Sequence, residues 1–143
     1  MTSLDRFLDA QDDVYPQALS ELCSGLKSSH WMWFVFPQIA GLGSSPTARH
    51  FAIRDLAEAQ EYLAHDLLGA RIGEATAAVT AWSGQRTLSE IFGTIDSLKF
   101  VSCMTLFEAA SGTSTRGDFG QALDVLVDGT RDRQTLALIV TPH

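Results

Sequence analysis

Apolar residues recur at helical spacing along most of this chain, and polar caps and glycines cut the pattern into short segments. A first short helix is predicted over Leu4 to Ala10. Pro16 suits the first position of a second helix, which continues through QALSELCSG. Its Leu19, Leu22, Cys23 and Leu26 stand at i, i+3, i+4 and i+7, which is one face. Asp55 and Glu58 form a D-x-x-E start for a helix that turns Leu56, Ala59 and Leu63 inward. His65-Asp66 breaks or bends it, and Asp66 is placed to cap the next helix. That helix carries the clearest stripe in the chain: Leu68, Ile72, Ala75, Val79 and Trp82. Ser83-Gly84 ends it, and Thr87 with Glu90 makes a capping box for a short helix ending at Gly93.

The stretch TIDSLKFVSCMTLFEAASG follows, with Asp96 as its expected cap. Phe100, Cys103, Met104 and Phe107 form one stripe, with Leu98, Val101 and Thr105 beside it. A helix apolar on more than half its circumference belongs at the centre of a fold. SGTSTRG, residues 111–117, is predicted as a loop. Asp118 is expected to cap a helix with Phe119, Ala122, Leu123 and Leu126 inward, and Asp132 a last helix through Val140.

One run breaks the pattern. Residues 31–36, WMWFVF, are apolar throughout, as in a strand buried on both faces, yet no partner strand is visible. We therefore expect an extended aromatic segment threaded through a helical body. The predicted fold is all-α: one compact domain, residues 1–143, of six to nine helices.

Composition narrows the function classes. A chain of 143 residues fits one domain and can bury about 70% of its unfolded surface. Net charge is −7, from ten basic and seventeen acidic residues, and no basic cluster exists. Nucleic-acid partners are therefore not expected, and an anionic membrane surface is disfavoured for the same reason. No apolar run reaches the roughly 18 residues that span a bilayer. The polar, acidic N-terminus does not look like a signal peptide, which makes a cytoplasmic location the expectation. Cys23 and Cys103 both fall on apolar stripes and read as core thiols in a reducing compartment. No metal-ligand spacing appears, and no cofactor is implied. A monomer is favoured, with the oligomeric state otherwise open.

Three blocks, KSSHWMWFVFPQIAGLGSSPTARHFAI, EAQEYLAHDLLGARI and IFGTIDSLKFVSCMTLFEAA, resemble the signature blocks of the domain-of-unknown-function family 1810. The resemblance runs from RFLDAQ to DRQTLALIV, and its HWMWF-x-FPQ block is highly specific. It implies a compact, mostly helical domain and no accepted activity. The calpastatin label sometimes attached to relatives conflicts with the dense core stripes here, since such an inhibitor segment is disordered. Ile95 stands where relatives often have proline, and Phe100-Val101 where leucine and a small or polar residue are common.

Several residues carry candidate chemistry. Ser45 before Pro46 is a helix start, so the glycines of GLGSSP precede a helix N-terminus with Arg49 one turn in. Backbone N–H groups, the dipole and an arginine together suit an anion, although a turn and a cap account for the same residues. In an extended segment Trp31 and Trp33 point the same way, and their indoles could wall a pocket for a planar ring. Lys27, His30 and Gln38 flank the run as polar groups for the rim of a pocket, with His30 the best candidate for proton transfer. Lys99 interrupts a greasy helix and must reach solvent, pair with Asp96 or face a cavity. Arg71 is open between a carboxylate partner and a ligand. Cys103 lacks a visible base, and no nucleophile elbow frames a serine.

The favoured reading is a pocket for a small, anionic, partly planar, nucleotide-like metabolite. Its candidate residues are His30, Trp31, Trp33, Gln38, Ser45, Arg49 and Lys99. Alternatives are a protein-interaction module docking through exposed aromatics, a hydrolase of a nucleotide-derived glycosidic or phosphate-linked bond, and an aromatic block that is the fold's keystone alone. No recognisable catalytic pair decides whether the protein is an enzyme.

Overall fold

Caps, prolines and glycines divide the chain into α1 (Asp5–Gln11), α2 (Tyr15–Cys23), α3 (Met32–Val35), α4 (Pro46–Phe51), α5 (Leu56–Ala64), α6 (Asp66–Thr80), α7 (Leu88–Phe92), α8 (Thr94–Ser111), α9 (Phe119–Leu126) and α10 (Arg133–Val140). The computed structural model describes residues 4–112 and 118–140. The all-α expectation holds. The helices number ten among the described residues rather than six to nine. The loop expected over 111–117 lies, from 113 on, outside the described residues.

The threaded segment is not extended. WMWFVF opens with one α-helical turn, α3, and only after Phe36 does the chain straighten. Trp31, Met32, Val35 and Phe36 are buried, whereas Trp33 and Phe34 are partly exposed. Burial at 31, 32, 35 and 36 follows the helical period, which a run without polar residues cannot announce. Pro37 ends the turn by disfavouring the helical conformation at Phe36. Beyond it, Ala40 N–H donates to Ile53 O and Ile53 N–H to Gln38 O, both at 2.8 Å, in an isolated parallel bridge.

Helix α8 is central, as its composition predicted, and packs against α5, α7, α9 and α10. Its Phe100, Cys103, Met104 and Phe107 are buried in the core. Two ring clusters fill that core. Phe36 and Phe92 pack on Phe100 with centroids 5.0 and 5.2 Å away, and Trp31 closes that group. Phe7, Tyr62, Phe107 and Phe119 form the other, linked at 5.1 to 5.8 Å. Rings at such separations add about 0.5–1.5 kcal/mol per pair beyond the area they bury.

Several local expectations shift. The core face of α2 is Tyr15, Ala18, Glu21 and Leu22, so the helix is rotated from the expected stripe. Cys23 is exposed and Leu26, beyond the helix end, is 56% exposed. Gly25, at φ +76°, makes that stop, and the Trp82 ring and Arg86 stem lie where a Cβ would stand. His65, not Asp66, caps α6, its Nδ1 accepting from Leu67 and Leu68 N–H. Asp96 is not the cap of α8, which starts after Gly93. The Thr87–Glu90 capping box, the Ser45 cap and the Asp132 cap form as expected.

Candidate functional site

Glu21 sets the approach to the site. This buried carboxylate accepts from Ser28 N–H (2.7 Å), Ser29 N–H (3.0 Å), Ser29 Oγ, Gln17 Nε2 (2.9 Å) and Trp31 Nε1 (2.9 Å). Burial works against its charge. The bonds from Ser29, Gln17, Ser28 and Trp31 outweigh that and hold the carboxyl well below the usual range. The indole of Trp31 is thereby pinned in the core. Trp33, two residues on, falls on the outer side of α3.

Lys27 leaves the same loop with its backbone N–H on Ile91 O (2.8 Å) and its ammonium on Asp96 Oδ2 (2.9 Å), at 9% side-chain exposure. Lys99 Nζ meets the other oxygen of Asp96 at 3.1 Å. One carboxylate therefore serves two ammonium groups. Burial raises the Asp96 carboxyl, but the hydrogen bonds and charges of Lys27 and Lys99 bring it below its ordinary value. Lys99 also lies over the Trp33 ring, 3.9 Å from its centre, and Lys27 stands 5.2 Å from that of Trp31.

Beside Trp33 and Lys99 opens a cleft of about 630 Å³. Gln38 and Leu42 form one wall, and α8 supplies Ile95, Leu98, Val101 and Ser102. The turn before α10 closes it with Val127, Arg131 and Asp132. Ile95 and Leu98 are 70% and 65% exposed, an apolar lip at the mouth. Arg131 contributes little free charge. It grips Glu108 with Nε and Nη2 (2.9 and 2.7 Å), while Nη1 serves Asp124 and Gly129 O. Ser102 Oγ lies 3.1 Å from Leu98 O and 3.2 Å from Asp132 Oδ2, with one proton for both.

Of the residues expected to meet in a pocket, Trp33, Gln38 and Lys99 line this cleft. The other four do not. Trp31 is wholly buried, so the two tryptophans do not share a face. His30 is exposed outside the cleft lining. Ser45 is occupied as a cap, accepting from Ala48 N–H at 3.1 Å, and Arg49 is exposed in the last turn of the six-residue α4. Arg71 donates to Gln11 Oε1 (3.2 Å) and packs over Tyr15, which itself donates to Glu74 (2.6 Å). Ile95, Leu98, Ser102 and Asp132 were not anticipated. The exposed apolar positions left over beside the α8 stripe were the signal for the first two. Asp132 was visible only as a cap.

No group of acidic, histidine and cysteine residues fit for a metal occurs among the described residues, and no described histidine lines the cleft. No helix among the described residues is long and apolar enough to cross a membrane. The family described as protein of unknown function (DUF1810) matches residues 1–139. The chain belongs to the DUF1810 family. This DUF1810 protein is also similar in structure to the conserved hypothetical protein Rv1873 from Mycobacterium tuberculosis. The two are 47% identical, with a TM-score of 0.91 over 97% of each chain. No curated protein matches this DUF1810 chain.

Proposed function

We propose that the cleft binds a small, partly planar, anionic metabolite of nucleotide-like chemistry. The observation that supports this reading best is the charge arrangement at Trp33. Lys27 and Lys99 share the single carboxylate of Asp96, so one positive charge is left over, and Lys99 holds it at the cleft. An ammonium has three N–H donors. One goes to Asp96, leaving two for a phosphate or carboxylate. Apolar surface from Leu42, Leu98, Val101 and Val127 suits a ring, and a few polar groups among apolar walls is the usual make-up of a ligand site. Binding is favoured over hydrolysis because no described histidine lines the cleft and the Ser102 proton is directed to Leu98 O and Asp132.

A second reading draws on the exposed Ile95 and Leu98. They stand one helical turn apart at the mouth and would form the centre of a protein-docking patch, aliphatic rather than aromatic. A thermal-shift panel of mononucleotides and sugar phosphates separates the two. A ligand that binds only the folded state raises its apparent stability, by about 2.7 kcal/mol at a hundred times its Kd. A rise in Tm with at least one nucleotide is expected. No shift from any member of the panel at millimolar concentration overturns the ligand reading.

A further inference from the structure

We infer that Asp132 reads the end of the ligand remote from Lys99, and that it selects a heterocycle presenting an N–H donor there, such as an exocyclic amino group. This rests on the ligand-binding reading of the cleft. Asp132 uses its two oxygens unequally. Oδ2 accepts from Thr135 N–H (3.0 Å) and Thr135 Oγ1 (2.5 Å), with Ser102 Oγ at 3.2 Å. Oδ1 accepts no hydrogen bond among the described residues and is not buried, on a side chain that lines the cleft.

The position of that open oxygen is fixed. Asp132 N–H donates to Thr105 Oγ1 (3.0 Å), and that hydroxyl donates to Val101 O (2.8 Å). Capping α10 holds the carboxylate itself, so an acceptor is ordered before any ligand arrives and binding costs little rotamer entropy. The neighbouring cation does not neutralise it, because Arg131 is turned to Glu108, Asp124 and Gly129.

The two ends of the cleft are thus opposite in character. Ser102 lies three residues from Lys99 on α8, where side chains are about 5–6 Å apart at Cβ, and Asp132 is one hydrogen bond beyond Ser102. A ligand spanning both places its anion at Lys99 and a donor at Asp132. An anion turned the other way meets a carboxylate. Carboxylates accept readily from amino groups of heterocyclic bases, and a hydrogen bond to a charged group contributes enough for firm discrimination.

Calorimetric titration with AMP, CMP and GMP, which carry exocyclic amino groups, against purine riboside 5′-monophosphate, which carries none, tests the inference. The wild type and Asp132→Asn are compared. Asparagine keeps an oxygen for the α10 cap and turns an NH2 group to the cleft. Wild type is expected to bind the best of the three amino-bearing nucleotides roughly 10–100-fold more tightly than the amino-free one. Asp132→Asn is expected to erase that preference while leaving the amino-free affinity within about twofold. Equal wild-type affinities, or a preference that survives in a folded Asp132→Asn, overturn the role of Asp132 and leave the Lys99 reading standing. Failure of all four to bind wild type overturns both together. Should Asp132→Asn fail to fold, the wild-type comparison alone decides.

Discussion

The Lys99 ammonium stands 3.9 Å from the centre of the Trp33 ring and 3.1 Å from the carboxylate of Asp96. Trp33 comes from α3 and Lys99 from α8, so the contact joins two segments distant in sequence at the edge of one cleft. A desolvated ammonium over an indole is worth up to about 2 kcal/mol and an exposed one about 0.5–1 kcal/mol. Lys99 is 20% exposed, between those limits. The same ammonium has donors to spare, so the pair can hold the fold's edge and still receive an anion.

Replacing Lys99 with methionine removes the charge and keeps most of the stem. Nucleotide affinity, measured by calorimetry, is expected to fall at least about tenfold, because a charge-assisted contact is lost. Stability is expected to change by only about 1 kcal/mol, since one partly exposed pair and one cation–π contact disappear. Undiminished affinity in Lys99→Met would remove the main support for the ligand reading.

Ser45 and Arg49 should behave differently from Lys99. Ser45 caps α4 through Ala48 N–H, and loss of such a cap costs about 1 kcal/mol. Ser45→Ala is therefore expected to lower stability by that amount in urea unfolding while leaving nucleotide affinity unchanged. Arg49 is exposed, so Arg49→Ala should stay within about 0.5 kcal/mol of wild type and bind equally well. A large loss of affinity in Arg49→Ala would place the anion at α4 and away from the cleft.

The contrast between these residues shows what the sequence could carry. Caps are local, so Ser45-Pro46, Thr87–Glu90 and Asp132 were legible from residues three or four apart. Stripes are nearly as local, and those of α6 and α8 were placed correctly. The Asp96–Lys99 pair was legible for the same reason, being one turn long. Lys27 joining it was not, because it comes from a different part of the chain. The WMWFVF run failed because six apolar residues carry no period, so Trp31 and Trp33 were given one face, whereas in a helical turn residues two apart fall on roughly opposite sides. The α2 stripe failed because Glu21 is a buried acid. Its charge marked that face as solvent, while its partners Ser28, Ser29 and Trp31 lie beyond the helix end.

The two thiols give a third test, and a second case of the same rotation. Both were expected in the core, yet Cys23 is exposed and Cys103 is fully buried on α8. Burial pushes the Cys103 thiol well above its ordinary pKa, which leaves it protonated and unreactive. Native protein treated with iodoacetamide near pH 8 is expected to take up label at Cys23 alone, with Cys103 reacting only after denaturation. Peptide mass mapping distinguishes the sites. Comparable rates at both would mean that the centre of α8 opens readily in the native state.

Glu21 governs the acid limb of stability. Its folded pKa lies below the ordinary carboxyl value of 4.5, so its contribution is fully present above that value and is lost as pH falls towards the folded one. Stability should therefore decline below about pH 5 and keep declining through the acid range. Asp96, lowered by its two lysines after burial has opposed them, adds to the same slope. Glu21→Gln preserves the shape and keeps one oxygen for Ser28, Ser29 and Trp31, but removes the charge and turns an NH2 group towards the donors of Gln17 and Ser29 Oγ. A loss of about 3 kcal/mol is expected at neutral pH, from charged hydrogen bonds broken and donors left unpaired. Because the missing carboxyl can no longer titrate, the difference between variant and wild type should shrink as pH falls, with Asp96 keeping some slope in both. Urea midpoints measured from pH 7 down to pH 3 check this. A gap that stays constant across that range would show that the folded state does not hold Glu21 as the charged centre of the Ser28–Trp31 loop.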